Sequence, residues 1–256
     1  MTQRRMVVAG NWKMNGTDAF IEELLSGIVK GLDDLSPSSC EVLVFPPFIY
    51  LSRVASQLAD HAVGVGSQDV DVRSEGAVTG AVSAAMVRDC GGRYSIIGHS
   101  ERRSLFAEPD DAIADKFERC REAGLTPVVC VGESLEERRS GSTIDVVTRQ
   151  LEAVTARIGA EQFENALVAY EPVWAIGTGE SATPEQAEEV HGALRDFLAG
   201  VDRGLAERTR ILYGGSVSPE NAAALFEKDN VDGALVGGAA LKATSFVAIC
   251  EAAEKV

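Results

Sequence analysis

Short apolar runs rich in β-forming residues alternate with longer amphipathic stretches along the whole chain. The runs predicted to form strands are Met6–Gly10, Val42–Phe45, Val63–Gly66, Tyr94–Ile97, Thr126–Val131, Leu167–Tyr170, Ile211–Tyr213 and Ala234–Val236. A strand and its following helix together take roughly 30 residues, as a (β/α)8 barrel requires. The alternation therefore predicts one α/β domain, a (β/α)8 barrel over residues 1–256. An open doubly wound sheet is the alternative fold.

The predicted helices carry residues that favour starting or ending a helix. Thr17 and Asp18 are expected to cap the first helix, which follows a loop after the first strand. Thr183–Gln186 (TPEQ) combines a capping threonine, a proline at the first helical position and a capping-box glutamine. Gly124 is expected to end a helix over Asp110–Ala123 in the left-handed conformation. These residues support one main helix after each strand, about eight in all.

The charge of the chain restricts its partners. The chain has 39 acidic and 24 basic residues, a formal net charge of −15, which repels nucleic acid and anionic lipid surfaces. No window has the ~18 consecutive apolar residues of a membrane span, and the N-terminal residues lack the apolar core of a signal peptide. We expect a cytoplasmic protein with neither nucleic-acid nor membrane partners. Five widely spaced cysteines argue against a disulfide framework or a zinc ribbon.

Polar and glycine residues follow the ends of the predicted strands. In a barrel of this kind, the loops at the carboxyl ends of the strands form the active site. Asn11, Trp12 and Lys13 follow the first strand, Pro46 and Pro47 the second, Gln68 the third, Gly98–Glu101 the fourth, Gly132 and Glu133 the fifth, Glu171 the sixth, Gly214–Ser216 the seventh, and Gly237 and Gly238 the eighth. The sequence thus predicts a pocket with a carboxylate, an imidazole, an ammonium group and glycine-rich loops suited to an anion.

Several of these segments resemble the triosephosphate isomerase family, in the family's order. They are Asn11–Asn15 (NWKMN), Ile97–Arg103 (IGHSERR), Cys130–Glu133 (CVGE), Ala169–Gly179 (AYEPVWAIGTG), Tyr213–Val217 (YGGSV) and Gly233–Gly238 (GALVGG). The resemblance covers essentially the whole chain and implies a TIM barrel. It also implies interconversion of dihydroxyacetone phosphate and D-glyceraldehyde 3-phosphate, a step of glycolysis and gluconeogenesis. The family's reaction passes through an enediolate and needs no cofactor or metal, and the family's enzyme is a homodimer.

The resemblance assigns the catalytic roles, and the reaction is a familiar example of pKa tuning. Glu171 matches the base that moves a carbon-bound proton, and burial at the end of an apolar strand is expected to raise its basicity. His99 matches a neutral electrophile that polarises the substrate carbonyl. Lys13 matches the cation near the phosphate and the developing oxyanion, and Asn11 would hydrogen-bond the same oxygen. We expect Glu101 to pair with Lys13.

The phosphate of the substrate would be bound by backbone amides, since amides without a neighbouring Cβ approach a dianion closely. The residues that match the family's substrate-binding positions are Asn11, Lys13, Gly177, Ser216, Gly237 and Gly238. Ala175–Gly179 resembles the family's lid. We expect this lid to cover the bound phosphate and protect the intermediate from losing it.

Two segments depart from the family's pattern. The loop around Thr79 resembles the dimer-contact loop, but it has Val78 where an aromatic residue is common and Ala81 where a Glu is common. The second change removes an expected partner of Arg102. A homodimer remains the expectation, with weaker association. Glu180–Ala182 replaces a common lysine-bearing hinge of the lid, so the kinetics of the lid are expected to differ.

Two alternative functions are considered. One is another phosphate-binding barrel enzyme, such as an aldolase, and the other is a non-catalytic barrel used for binding. Both are disfavoured because the catalytic set is complete, comprising Asn11, Lys13, His99 and Glu171. The other histidines, His61 and His191, are interpreted as structural, and no metal or nicotinamide motif is found in the sequence.

Overall fold

Eight parallel strands form a closed barrel in the computed structural model, which describes residues 4–35, 39–175 and 182–256. The strands are β1 (Met6–Asn11), β2 (Cys40–Phe45), β3 (Val63–Ser67), β4 (Tyr94–Ile97), β5 (Thr126–Val131), β6 (Leu167–Tyr170), β7 (Arg210–Tyr213) and β8 (Gly233–Val236). Each strand pairs with the next, and β8 pairs with β1. The prediction of a (β/α)8 barrel is confirmed, and an open doubly wound sheet is wrong.

The strands are surrounded by helices, and more helices are present than one after each strand. Within the described residues they are α1 (Asp18–Leu35), α2 (Phe48–Gln57), α3 (Ala84–Asp89), α4 (Ser100–Leu105), α5 (Asp110–Glu122), α6 (Leu135–Arg139), α7 (Thr143–Phe163), α8 (Pro184–Val201), α9 (Arg203–Arg208), α10 (Ala222–Phe226) and α11 (Ala243–Glu254). The expected count of about eight is too low because β4, β5 and β6 are each followed by two helices. Pro109 separates α4 from α5, and Asp202, in extended conformation, begins α9.

The predicted helix caps are present. The Thr17 hydroxyl accepts a hydrogen bond from Phe20 N at 3.2 Å at the start of α1. Thr183 and Gln186 form a reciprocal capping box at the start of α8. Gly124 has a φ of +71° just after α5, although the helix ends at Glu122, one residue earlier than predicted.

The core has two layers because side chains of successive strand residues point to opposite faces. The residues that fill the barrel interior are Val7, Ala9, Leu43, Phe45, Ile96, Val128, Cys130, Leu167, Ala169, Leu212 and Leu235. Alternating residues such as Val8, Val42 and Val168 face outward and pack in the larger cluster with the helices. Because the interior is filled with side chains, a ligand has room only at the ends of the barrel.

Two further properties concern the described part of the chain. No helix in it is long and apolar enough to span a membrane. Its five cysteines are free thiols; Cys90 is exposed, and the other four are buried. The buried cysteines act as small core residues, as the sequence predicts.

Candidate active site

A cavity of about 320 Å³ lies at the carboxyl ends of the strands. The predicted site residues that line it are Asn11, Lys13, His99, Glu171, Ser216, Gly237 and Gly238. Trp12, Asn15, Gly214, Gly215 and Leu241 are among the other lining residues. The predicted Gly177, and with it most of the predicted lid and the hinge residues Glu180 and Ser181, lies outside the described residues. The loops following β1, β4, β6, β7 and β8 thus meet at one cavity, as the barrel topology requires.

Glu171 directly follows β6 and is held by backbone and side-chain contacts. Its N–H donates to Val131 O at 2.8 Å, which extends the pairing of β6 with β5 by one residue. The residue is 1% exposed. Its carboxylate accepts from Ser100 N at 2.8 Å and from Ser100 Oγ at 3.2 Å. A buried carboxylate with these donors has a fixed position at the edge of the cavity.

The His99 imidazole lies against the Glu171 carboxylate. His99 Nε2 is 2.9 Å from Glu171 Oε1, and the residue is 5% exposed. At the N-terminus of α4, His99 Nδ1 accepts a hydrogen bond from Glu101 N at 3.2 Å. A nitrogen that accepts a bond carries no proton, so the neutral ring has its proton on Nε2, directed at Glu171.

The pKa of Glu171 departs from the expectation drawn from the sequence. Burial raises the pKa of this carboxyl, as expected, but the His99 ring and the Ser100 amide outweigh burial, and the pKa is lowered. The expectation of raised basicity is therefore wrong for this arrangement of the site. For His99, burial lowers the pKa, and the nearby Glu171 carboxylate outweighs it and raises the pKa. The contact with Glu171 thus works against the expected neutral imidazole, whereas the bond from Glu101 N favours it.

Lys13 is held in an unusual backbone conformation by its neighbours. Its φ is +50°, its N–H donates to Asn11 Oδ1 at 3.0 Å, and its carbonyl accepts from Gln68 Nε2 at 2.8 Å. Lys13 Nζ lies 2.5 Å from Glu101 Oε1, which confirms the predicted ion pair. The sequence placed Gln68 at this end of the barrel, but it did not predict that Gln68 braces the lysine.

The loops after β7 and β8 contribute mostly glycine residues to the wall of the cavity, namely Gly214, Gly215, Gly237 and Gly238. Gly237 follows β8, and Gly238 begins a short 3-10 helix, Gly238–Leu241. A Cβ atom at Gly238 would meet no other atom within 4 Å. Packing therefore does not require glycine at this position, and a ligand has room to approach the main chain. Ser216 Oγ donates to Ala175 O at 3.0 Å, linking the loop after β7 to the segment that follows Glu171.

The family model for triosephosphate isomerase matches residues 6–253. The chain belongs to the triosephosphate isomerase family. The triosephosphate isomerase of Alcanivorax borkumensis is 51% identical over 251 residues, covering 98% of this chain and 99% of the relative. That of Dechloromonas aromatica is 52% identical over 250 residues, covering 98% of this chain and 99% of the relative. That of Histophilus somni strain 129Pt is 48% identical over 252 residues, covering 98% of each chain. As a member of this family, the chain is an enzyme, an aldose–ketose isomerase.

Glu133 was predicted to contribute to the pocket of this isomerase, but it is not among the residues that line the pocket. Its side chain is fully buried, and Oε1 accepts from Tyr170 Oη at 3.1 Å and from Trp174 Nε1 at 2.9 Å. Arg138 is 3.3 Å from the same oxygen. Glu133 therefore braces the chain on both sides of Glu171. The aromatic residues that flank Glu171 in the sequence were the one indication of this role.

The departures in the loop around Thr79, Val78 and Ala81, are not among the residues that line the cavity. Arg102 Nε is 2.9 Å from Asp69 Oδ2 and 2.6 Å from Glu108 Oε1. The arginine thus has two carboxylate partners, although Ala81 supplies none. Arg102 was expected to lack a partner because position 81 is alanine, but Asp69 and Glu108 of the same chain take that place. Thr79, at the tip of the loop, is exposed.

In the described ranges, no group of three or more His, Cys, Asp or Glu side chains is arranged to hold a metal ion. Lys13 lines the cavity and places a positive charge there.

Proposed function

We propose that the chain interconverts dihydroxyacetone phosphate and D-glyceraldehyde 3-phosphate by moving one proton through an enediolate. The observation that carries this proposal is the 2.9 Å contact between Glu171 Oε1 and His99 Nε2 inside the cavity. A base and a proton donor this close can act on neighbouring atoms of one small substrate. The name triosephosphate isomerase, shared by the relatives, supports the choice of substrate.

Glu171 is proposed as the base. In the free protein its lowered pKa keeps the carboxylate ionised and ready to accept a proton. When the carboxylate turns from Ser100 and His99 toward the substrate, the contacts that lower its pKa are lost, while burial, which raises the pKa, remains. The base therefore becomes stronger at the point where it meets the carbon-bound proton.

His99 is proposed as the neutral electrophile. Once Glu171 turns away, the contact that raises the pKa of His99 is lost. The bond from Glu101 N to Nδ1 then favours the neutral ring with its proton on Nε2. That proton is available for the substrate oxygen. Lys13 and Asn11 would stabilise the negative charge that develops on the oxygen, which is the largest electrostatic contribution in many enzymes of this kind.

The phosphate is proposed to bind at the glycine-rich wall. Ser216 belongs to the loop after β7, whereas Gly237 and Gly238 belong to the loop after β8, the usual phosphate site of these barrels. Gly177 is proposed to contribute from the lid by its resemblance to the family alone. The substrate would then lie with its reacting carbons at Glu171 and His99 and its phosphate at the glycines.

We also propose that the whole chain, residues 1–256, works as one domain in a cytoplasmic homodimer. Among the described residues, the large exposed apolar side chains include Met14 (95% exposed), Ile49 (82%), Met86, Leu105 and Phe106. These residues follow β1, β2, β3 and β4, four neighbouring strands, so they lie on one half of the barrel rim. An apolar surface of this kind is suited to association with a second copy of the chain.

The test of the proposed reaction is an assay of triose phosphate interconversion after the protein has been stripped of metal with a chelator. Full activity is expected because Lys13, His99 and backbone amides supply the electrostatic stabilisation. Activity that is lost and then restored by a divalent ion would contradict the metal-free mechanism. A lack of interconversion under all conditions would favour another phosphate-binding barrel enzyme or a non-catalytic barrel.

A further inference from the structure

Gln150, on α7, binds both hydrogen-bonding groups of Gly132 at the end of β5. Gln150 Oε1 accepts from Gly132 N at 2.8 Å, and Gln150 Nε2 donates to Gly132 O at 3.1 Å. The glutamine is buried. These two groups of Gly132 lie on the side of β5 that pairs with β4. Strand β4 ends earlier, at Ile97, and Gly98, with a φ of +69°, turns the chain away. The amide of Gln150 therefore takes the place of the missing strand and satisfies two buried main-chain groups.

Gly132 lies tightly against the main chain of Glu171. A Cβ atom at Gly132 would be 1.9 Å from Glu171 O and 3.2 Å from Glu171 Cβ. The preceding residue, Val131, accepts a hydrogen bond from Glu171 N at 2.8 Å. The two chain segments are thus in direct contact, and a displacement of Gly132 must displace the backbone that carries the Glu171 side chain.

We infer that Gln150 is a positioning residue for the catalytic base, acting through Gly132. This inference rests on the proposed role of Glu171. A base works best when its reacting atoms are held in one geometry, and a small displacement slows the chemical step far more than it weakens substrate binding. The proposed phosphate site lies after β7 and β8, away from β5 in the barrel. Loss of Gln150 should therefore lower kcat and leave KM nearly unchanged.

The test compares two variants of α7. Gln150→Leu keeps much of the side-chain volume but removes both hydrogen bonds to Gly132. Val154→Ala, one turn further along the same helix and also buried, is the matched control for a general loss of stability. Both variants should unfold at lower urea concentrations than the parent. Gln150→Leu alone should lose about tenfold or more in kcat, with KM within about twofold of the parent.

A second measurement separates positioning from a structural role. When substrate deuterated at the reacting carbon is used, the isotope effect on kcat should rise in Gln150→Leu, because proton transfer has become slower relative to the other steps. It should stay at the parental value in Val154→Ala. Equal kcat and isotope effects in the two variants, or a rise in KM matching the loss in kcat, would overturn the inference.

Two further variants cover the remaining outcomes. If Gln150→Leu does not fold, Gln150→Asn keeps the amide but is one methylene shorter, so it cannot reach both groups of Gly132 at once. The kcat of Gln150→Asn should lie between those of the parent and of Gln150→Leu; if Gln150→Leu does not fold, it should lie below that of the parent. A Gln150→Asn variant with the parental kcat would contradict the inference. Glu171→Gln tests the base by itself. If Glu171→Gln is active, the proposed role of Glu171 as the base fails; if it is inactive while the Gln150 variants are normal, only the inference about Gln150 fails.

Discussion

At position 171, the length of one side chain decides where the proposed base lies. We predict that Glu171→Asp folds normally but loses roughly 10²-fold or more in kcat, because shortening by one methylene moves the carboxylate by about 1 Å. Steady-state kinetics will measure the loss, and urea unfolding will check that the fold is intact. Near-normal turnover would mean that the base is a different residue.

A second residue links acidity to stability. His191 is completely buried beside the ring of Tyr170, and burial, opposed by a hydrogen bond to Asn230, lowers its pKa from 6.5 to about 3. In the unfolded chain, this histidine binds a proton near pH 6.5, whereas in the folded chain it does so only near pH 3. Acidification between these values therefore favours unfolding. From pH 7.5 to pH 5, the free energy of unfolding should fall by about 2 kcal/mol through His191.

The control for this prediction is His191→Asn, whose amide keeps a donor near the Asn230 carbonyl, the partner of Nδ1. Urea unfolding at both pH values should give a smaller pH dependence for the variant, by about the same 2 kcal/mol. An identical pH dependence in parent and variant would show that His191 is not the group responsible.

At the scale of residues, the sequence predicted which side chains meet but not how they affect one another. Asn11, Lys13, His99 and Glu171 each follow a strand, and strand ends meet at one side of a parallel barrel, so their convergence could be deduced. The lowered pKa of Glu171 could not, because it depends on the position of the Ser100 amide and on the contact with His99. Such pKa shifts depend on contacts of a few ångströms between residues that are far apart in the sequence.

At the scale of elements, strands were predicted more accurately than helices. Strands buried on both faces are continuous apolar runs, and these set the strand positions to within a residue or two. Strand β2 begins at Cys40 and not at Val42 because Cys40 and Glu41 still pair with β1. The extra helices α4, α6 and α9 were missed because each has only five or six residues, too few to show a helical periodicity in the sequence.

Closure of the barrel between β1 and β8 leads to an element-scale prediction. Gly233 has a φ of +132°, and a Cβ atom there would be 1.9 Å from Val7 O on β1. Gly233→Ala should therefore prevent close pairing of the two strands, at a cost in folding free energy at least twice that of Gly124→Ala. The Gly124 control has a positive φ but open space around it, so its alanine variant should cost only about 1 to 2 kcal/mol.

Urea unfolding and expression as folded protein will compare the two glycine variants. Equal stability of Gly233→Ala and Gly124→Ala would mean that the strands can move apart at β1 and β8 with little cost. Barrel closure would then be less rigid than the short contact with Val7 indicates.

At the scale of the whole molecule, the sequence predicted the barrel and the convergence of the candidate site residues much better than the assembly of the chain. A closed sheet follows from the order of elements within one chain. Association depends on side chains that meet another surface, and the exposed apolar residues on one half of the rim became visible only in three dimensions. The position of Asp69 beside Arg102 likewise required the folded loop.

In the proposed dimer, the two departures in the loop around Thr79 should have unequal effects. Val78→Phe adds apolar ring area and should strengthen the dimer, lowering its dissociation constant by about tenfold, which corresponds to about 1.4 kcal/mol. Ala81→Glu should not strengthen it, because Arg102 is already paired with Asp69 and Glu108, and a third carboxylate would repel these two. Sedimentation velocity at falling protein concentration will compare both variants with the parent, which should dissociate at higher concentration than Val78→Phe. If Ala81→Glu tightens the dimer and Val78→Phe does not, the missing carboxylate, and not the missing ring, limits association.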